Sequence, residues 1–221
     1  MNRIAFATLV VLALATTRAD AGVTKGRPLE TGQTKSFGPG SDGDLRPGLT
    51  RLFTDLGNGV VKDRRTGLYW EKKSDDGSIH DKDNFYSWSI SLPLLFQTFT
   101  GSVVSNFLAN LNTPPCFGGF CDWRLPTLTE LMTIQNLGAE LPSAFPEFDD
   151  DCVPGCTVLT CSCTEWSQPS GGPYVYDPFY WSSSTWTSDE SYAWVGHFSV
   201  GGVGQQVKTS GGRARAVRGG F

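Results

Sequence analysis

The chain has 221 residues and a formal net charge of −4, and its second half is the acidic one. Residues 122–221 carry 5 basic and 11 acidic side chains, whereas residues 22–121 carry 11 basic and 10 acidic ones. The negative electrostatic field of the second half disfavours nucleic acid and other polyanions as partners. Glycine (26), proline (13) and tryptophan (7) are plentiful, which is typical of short strands, turns and long ordered loops with few helices.

The first 21 residues have the organisation of a cleaved signal peptide. Arg3 supplies a short positive segment, residues 4–15 form an apolar run, and residues 19–21, ADA, are a cleavage signal. The run is too short to span a membrane, which needs about 20 apolar residues. No later stretch is apolar enough to span a bilayer. We therefore expect an exported protein, located in the periplasm, at the cell surface or outside the cell, with no transmembrane segment in the mature chain.

The mature chain begins with a segment of unusual composition. Residues 22–50 are dense in Gly, Pro, Ser and Thr and poor in aliphatic side chains, which predicts a flexible leader before a domain of residues 51–221. Within that domain, residues 57–73, GNGVVKDRRTGLYWEKK, predict a β-hairpin, because two strand-forming segments flank the reversal RTG at 65–67.

Two helices are predicted in the middle of the chain. Residues 101–112 place apolar side chains at helical spacing. Residues 126–138 have the same pattern, and Thr127 and Glu130 form a capping box at its start. Gly138 suits the C-terminal end of this second helix.

The stretch CDWRLPT precedes the second helix and contains ionisable residues that could suggest catalysis. A structural role is favoured, with Trp123 and Leu125 in the core and Arg124 paired with a carboxylate. The last third of the chain then predicts antiparallel strands at residues 178–185, 191–200, 203–208 and 213–220. The order of elements predicts an α+β fold, with two helices and a small antiparallel sheet.

Four stretches resemble, in their order and spacing, the C-terminal domain family of the Legionella collagen-like adhesin. They are TDLGNGVVKDRRTGLYWEKK, CDWRLPTLTELMTI, YWSSSTW with SYAWVGHFSVGGV, and RARAVRGG. The resemblance covers residues 51–220 and implies a secreted or surface module. A more distant similarity to the formylglycine-generating-enzyme and C-type-lectin superfamily implies a C-type-lectin-like fold. The adhesin that names the family binds sulfated glycans, which implies carbohydrate recognition, although the acidic second half and the lack of collagen-like repeats depart from that picture.

Six cysteines remain after the signal peptide, and in an exported protein an even number predicts disulfides. Cys116 and Cys121 flank FGGF, and we expect them to pair with each other. Within the cluster that follows, the Cys161-Ser-Cys163 segment is too tight to bridge easily. Two arrangements therefore stay open, in which Cys152 and Cys156 pair with Cys161 and Cys163 in either order.

Aromatic side chains are dense in residues 174–194, and alternation along short strands cannot bury all of them on one face. Flat rings on a surface can stack on sugars or anchor a protein partner. We therefore predict Tyr180, Trp181, Trp186 and Trp194 as ligand-binding residues, with an aromatic core under long loops as the alternative.

Arg213 and Arg215 are the remaining candidates for ligand binding. In a strand they share one face about 7 Å apart, where two guanidiniums could grip a carboxylate or a sulfate. The alternative is that both pair with nearby acidic side chains.

Catalytic and metal-binding signatures are absent from the sequence. Neither histidine, His80 or His197, stands at metal-ligand spacing or beside a nucleophile motif. The acids of residues 147–151, with Asp177 and Asp189, could hold calcium but lack a recognisable loop signature. We expect no enzyme activity, no cofactor and no metal site, with calcium left open. The partner is then a glycan or an envelope or extracellular protein. The alternatives are a structural component of the cell envelope and, less favoured, a cysteine-based oxidoreductase.

Overall fold

The computed structural model describes residues 27–90, 98–166 and 178–220. Over these residues the chain forms short helices and several antiparallel sheets, which confirms the predicted α+β class. The strands are β1 (Phe53–Asp55), β2 (Val60–Asp63), β3 (Leu68–Glu71), β4 (Tyr86–Ser87), β5 (Phe179–Thr185), β6 (Tyr192–His197), β7 (Gly202–Val207), β8 (Gly211–Gly212) and β9 (Val217–Gly219). The α-helices are α1 (Asp42–Leu45), α2 (Ala109–Asn112) and α3 (Leu128–Met132).

Two of the three sheets contain strands that the sequence pattern predicted, whereas β1, β4 and β8 were not predicted. Four strands pair in the order β1-β2-β3-β9, three in the order β5-β6-β7, and β4 pairs with β8. The predicted hairpin is present as β2 and β3, with Val61 opposite Trp70. The predicted strands 178–185, 191–200 and 203–208 are present as β5, β6 and β7, whereas the predicted strand 213–220 is reduced to Val217–Gly219.

The two predicted helices form, but the second is much shorter than expected. Val103–Leu108, wound with π-type turns, runs directly into α2. The capping box is present at the start of α3: Thr127 Oγ1 accepts from Glu130 N at 3.2 Å, and Glu130 Oε2 accepts from Thr127 N at 2.8 Å. The helix nevertheless ends at Met132 instead of at Gly138.

The early end of α3 has a physical reason in the contacts of the segment that follows. Main-chain groups of Ile134, Asn136 and Leu137 bond to residues outside the helix, and Ile134 O accepts from Phe145 N at 3.3 Å. Asn136 N donates to Ser143 O at 3.0 Å, and Leu137 N donates to Thr31 O at 2.8 Å. Gly138 packs against the leader, because a Cβ there would lie 2.1 Å from Gly32 O. Main-chain groups that further helical turns would need are therefore already bonded elsewhere.

Residues 27–50 lie against the domain that follows them. Leu29 and Leu49 form a parallel bridge within the segment. Arg51 N donates to Glu30 Oε1 at 3.1 Å, and Leu137 N donates to Thr31 O at 2.8 Å. The segment predicted as a flexible leader is therefore in contact with the domain near Glu30 and Thr31. The predicted signal peptide and residues 22–26 lie outside the described residues.

Two hydrophobic clusters fill the interior, and β5 lies between them. One cluster contains Trp181 together with Phe107 and the predicted core residue Trp123, and the other contains Tyr180 together with Trp70. Neighbouring side chains of β5 thus enter different clusters, as expected where both faces of a strand are covered.

Candidate ligand-binding surface

The sheet of β5, β6 and β7 has one face that is only partly covered. Side chains alternate along β6, so Tyr192, Trp194 and Gly196 share a face. Helix α3 packs over the Gly196 end, where a Cβ on the glycine would lie 2.9 Å from Leu131 Cδ2. The absence of a side chain at Gly196 lets the helix approach the sheet closely. The other end of the same face carries Tyr192 and Trp194.

The rings of Trp186 and Tyr192 are in contact at this end of the sheet, and Trp194 lies on the same face of β6 as Tyr192. We call Trp186, Tyr192 and Trp194 the aromatic surface. All three side chains are half-buried. The rings of Trp186 and Tyr192 meet edge to face, with centroids 5.6 Å apart and planes at 86°. Gln205 is exposed and lies directly across from Trp194 in the β6–β7 pairing. Flat apolar rings are therefore presented beside an amide that can donate and accept hydrogen bonds.

The turn between β5 and β6 fixes the position of the aromatic surface. Trp186 N donates to Tyr192 O at 3.0 Å, which extends the pairing of the two strands. Asp189 Oδ1 accepts from Ser191 N at 3.0 Å and from Ser191 Oγ at 2.6 Å. These two bonds hold the pKa of Asp189 below its ordinary value. The turn is thus organised by its own side chains.

Tyr180 and Trp181, predicted as ligand-binding residues, lie in the interior. Both side chains have 0 % of their surface exposed. Their polar atoms are used internally, since Tyr180 Oη accepts from Glu165 N at 2.8 Å and Trp181 Nε1 donates to Tyr86 O at 2.7 Å. Of the four predicted aromatic residues, only Trp186 and Trp194 are accessible to a ligand from solvent.

Arg215 is also placed in the interior, with 0 % of its surface exposed. Its guanidinium donates to Glu71 O at 3.1 Å, to Cys163 O at 2.6 Å and to Thr164 Oγ1 at 2.9 Å. Burial lowers the pKa of Arg215, although nearby Tyr180 and acidic groups oppose that effect. The side chain therefore ties the cysteine-rich loop to β3 and does not face a ligand.

Arg213 is buried as well and bonds to the polar loop of residues 74–84. Its Nη1 donates to Asp83 O, and its Nη2 lies 3.4 Å from Asp83 Oδ1. Its guanidinium also lies over the ring of Phe85, 3.8 Å from the centroid. The two arginines are thus engaged separately, and the predicted pair on one strand face does not form.

A buried ionic group connects β3 to the same polar loop. Glu71 Oε1 lies 2.7 Å from His80 Nδ1 and 3.2 Å from Lys73 Nζ, and Glu71 Oε2 accepts from Ala216 N at 2.9 Å. Burial raises the pKa of Glu71, but attraction to Lys73 and the hydrogen bond with His80 outweigh it, so the pKa lies below its ordinary value. These groups satisfy one another, which is the arrangement of a structural network.

Arg124 pairs with Glu130, as predicted for the stretch before α3. Arg124 Nη1 and Nη2 donate to the two carboxylate oxygens at 2.8 and 2.7 Å. Burial raises the pKa of Glu130, but the bonds from Arg124 and Thr127 outweigh it and hold the pKa below its ordinary value. The ion pair therefore belongs to the capping structure of α3.

Comparison with known proteins gives one family match. The family model of the Lcl C-terminal domain matches residues 59–218. The chain belongs to the Lcl C-terminal domain family. This confirms the resemblance noted in the sequence. Comparisons with curated proteins and with solved structures gave no match.

The disulfides of this Lcl C-terminal domain lie around its long loops. Cys116 pairs with Cys121, as expected. In the cysteine-rich loop, Cys152 pairs with Cys163 and Cys156 with Cys161, which is one of the two arrangements that the sequence left open. The second disulfide touches the first, with Cys156 Sγ 3.7 Å from Cys163 Sγ. The two disulfides brace residues 152–163 internally, and Arg215 holds this loop against the core through its bond to Cys163 O.

Three carboxylates of the polar loop lie close together in the Lcl C-terminal domain, at positions without a calcium-binding signature. One oxygen each from Asp75, Asp81 and Asp83 lie within 4.8 Å of one another. Lys82 Nζ is among them, 2.8 Å from Asp83 Oδ2, 2.8 Å from Glu165 Oε2 and 4.0 Å from Asp75 Oδ2. The lysine ammonium already supplies the positive charge that this cluster needs.

The acids named in the calcium alternative occupy separate places. Asp149 Oδ1 accepts from Thr164 N at 2.9 Å, and Asp189 organises the β5–β6 turn. Burial raises the pKa of Asp149 above its ordinary value. Asp177 lies outside the described residues. Across the parts of the chain that the structure describes, no helix is long and apolar enough to cross a membrane.

Proposed function

We propose that the protein is an exported, non-catalytic binding module that recognises carbohydrate through the aromatic surface. The observation that carries this proposal is the group of three half-buried aromatic side chains at the end of a sheet face that α3 leaves uncovered, with an exposed amide opposite Trp194. Sugars present flat apolar faces edged by hydroxyls, so a ring and an adjacent hydrogen-bonding group are the complementary surface. Membership of an adhesin-related family points in the same direction.

We place the protein in the periplasm, at the cell surface or outside the cell. Three disulfides suit an oxidising compartment, and an adhesin-related domain fits an exported protein. A C-type-lectin-like fold is part of the same proposal, and it is supported by the small antiparallel sheets, the short helices and the long stapled loops.

A structural or assembly role in the cell envelope is the second candidate. It is favoured by a mostly apolar cavity of about 430 Å³ between the leader and α3. Exposed Met132 and Leu137 line it, and such side chains can receive a protein partner. Light scattering of the chain with and without residues 22–50 separates this candidate from the first, because only an assembly role predicts that the molecular mass in solution depends on that segment.

Catalysis through cysteine chemistry has less support. A cysteine-based oxidoreductase requires accessible thiols, whereas all six cysteines are paired. Titration of thiols in the native protein is the direct test, and a positive reaction would favour the oxidoreductase alternative.

Affinity electrophoresis through a panel of neutral and acidic polysaccharides tests the leading proposal. The wild-type protein should be retarded by at least one polysaccharide, and Trp186→Ala combined with Trp194→Ala should remove that retardation. Phe85→Ala is the matched control, because this ring is 63 % exposed and lies outside the aromatic surface. Equal retardation of the double variant and the wild type, or no retardation by any polysaccharide, would contradict carbohydrate recognition at these rings.

A further inference from the structure

A separate cavity of about 300 Å³ opens beside the β5–β6 turn. It is lined by Trp88, Thr185, Thr187, Glu190 and Lys208. This cavity lies on the face of the β5-β6-β7 sheet opposite to the aromatic surface. Thr185 stands opposite Ala193, whose side chain is in the core, whereas Trp186 pairs with Tyr192.

Lys208 is the unusual member of this cavity. Only 2 % of its surface is exposed, although its side chain carries an ammonium group. Lys208 Nζ donates to Thr185 Oγ1 at 2.9 Å and lies 4.0 Å from the centroid of the Trp88 ring. Neither contact is with a carboxylate, and within residues 27–90, 98–166 and 178–220 no ion pair of Lys208 is found. An ammonium has three donors, so the cavity can offer further hydrogen bonds to a ligand.

A buried ammonium without a carboxylate partner is costly, and such groups are rare outside functional sites. Burial lowers the pKa of Lys208, and the opposing attraction of Glu190 does not compensate. By contrast, the buried lysines Lys72 and Lys73 each have a carboxylate partner, with Lys72 Nζ 2.7 Å from Asp55 Oδ2 and Lys73 Nζ 3.2 Å from Glu71 Oε1. An anionic group bound in the cavity would give Lys208 the partner that Lys73 already has.

The other groups of the cavity restrict what that ligand can be. Glu190 is exposed at its rim and would repel a ligand with several negative charges. It would attract a positive charge placed beside the bound anion. The hydroxyl of Thr185 accepts from Lys208 and can therefore donate its own proton to the ligand. The volume is at the lower end of ligand cavities, which suits one small molecule and not a polymer.

We propose that this cavity binds a small zwitterion of the α-amino acid type. The carboxylate of the ligand accepts hydrogen bonds from Lys208 Nζ and from the Thr185 hydroxyl. The ammonium of the ligand lies towards Glu190. Trp88 forms a wall and holds Lys208 in place, because its ring is in contact with Lys208 Nζ and with Phe99, whose centroid is 4.6 Å away. This site is distinct from the aromatic surface and does not depend on carbohydrate binding.

Isothermal titration with L-alanine, backed by shifts of the tryptophan indole N–H signals in NMR spectra, tests this proposal. Two comparison ligands remove one charge each: alanine methyl ester lacks the carboxylate and propionate lacks the ammonium. L-Alanine should bind more tightly than either. Lys208→Met should weaken binding of L-alanine roughly tenfold to a hundredfold, the effect of losing a charged hydrogen bond.

Glu190→Gln should weaken binding of L-alanine but not of propionate. Its matched control is Glu140→Gln, an exposed acid outside the cavity, which should bind like the wild type. Glu190 is exposed, so its variant tests the site even if Lys208→Met fails to fold. Absence of L-alanine binding at millimolar concentration, or equal affinity of the wild type and both cavity variants, would overturn the proposal. Retained polysaccharide binding in Lys208→Met, together with lost L-alanine binding, would support it and separate it from the proposed function.

Discussion

Replacing Arg215 with Met removes a fully buried guanidinium while keeping most of the side-chain volume. In the wild type this group donates to Glu71 O, to Cys163 O and to Thr164 Oγ1. The variant removes the donor of the two carbonyl oxygens in the interior, whereas Thr164 Oγ1 keeps its bond to Phe148 O. Each acceptor left without a partner costs about 1–3 kcal/mol, and removal of the buried charge offsets part of that sum.

We therefore expect Arg215→Met to lower the free energy of unfolding by about 3–5 kcal/mol, the cost of two or more acceptors left without their donor. That is a large share of the roughly 5–15 kcal/mol typical of a domain. Urea unfolding with the disulfides intact, followed by tryptophan fluorescence, measures the change.

Arg64→Met is the matched control, because Arg64 is exposed and makes one side-chain hydrogen bond, to Thr54 Oγ1 at 3.0 Å. It should unfold at the same urea concentration as the wild type. A loss of stability in Arg215→Met below about 1 kcal/mol would refute the assignment of Arg215 to the scaffold, since one unsatisfied acceptor alone should cost that much. Reduced polysaccharide binding at unchanged stability would return Arg215 to the candidate ligand residues.

Three further outcomes follow from the contacts around the loops and α3. Replacing both Cys152 and Cys163 with Ala should lower the free energy of unfolding by about 3 kcal/mol, because their sequence separation of 11 closes a medium-sized loop. Thr127→Ala should cost about 1 kcal/mol through loss of the capping bond to Glu130 N. A carboxyl group whose pKa is lowered by folding stabilises the protein at pH values above its unfolded-state pKa of about 4.3. This stabilisation is lost as the pH falls through the folded-state pKa. The urea concentration at the unfolding midpoint should therefore fall when the pH is lowered below about 4, because Glu71 and Glu130 become protonated. Glu130→Gln should make this fall smaller. A midpoint that does not fall in acid, or wild-type stability in either substitution, would contradict these assignments.

Features that depend on neighbouring residues could be predicted from the sequence. The capping box rests on Thr127 and Glu130, three positions apart, and it forms as expected. The β2–β3 hairpin likewise depends on one turn between two strand-forming segments. The end of α3 could not be predicted in the same way. It is set by contacts with Thr31 and Ser143, which are not visible in the helical pattern.

The exposure of the aromatic residues also depended on distant parts of the chain. Alternation correctly divides β5 and β6 into two faces, but it does not say what covers each face. Tyr180 is covered because α3 packs on its face, and Trp181 because it faces the other cluster. On the face that carries Tyr180, only the end at Trp194 remains accessible to solvent. Lys208 carried no sequence signal at all, since its burial arises from Trp88, 120 positions earlier in the chain.

The dissociation constant of Trp194→Ala for a polysaccharide that retards the wild type is the most direct test of carbohydrate recognition at the aromatic surface. Circular dichroism and the urea midpoint should first establish that the variant is folded. We predict binding at least tenfold weaker than that of the wild type and of Phe85→Ala, since an aromatic anchor at a binding surface contributes about 2 kcal/mol or more. A dissociation constant equal to that of Phe85→Ala would contradict recognition at this surface.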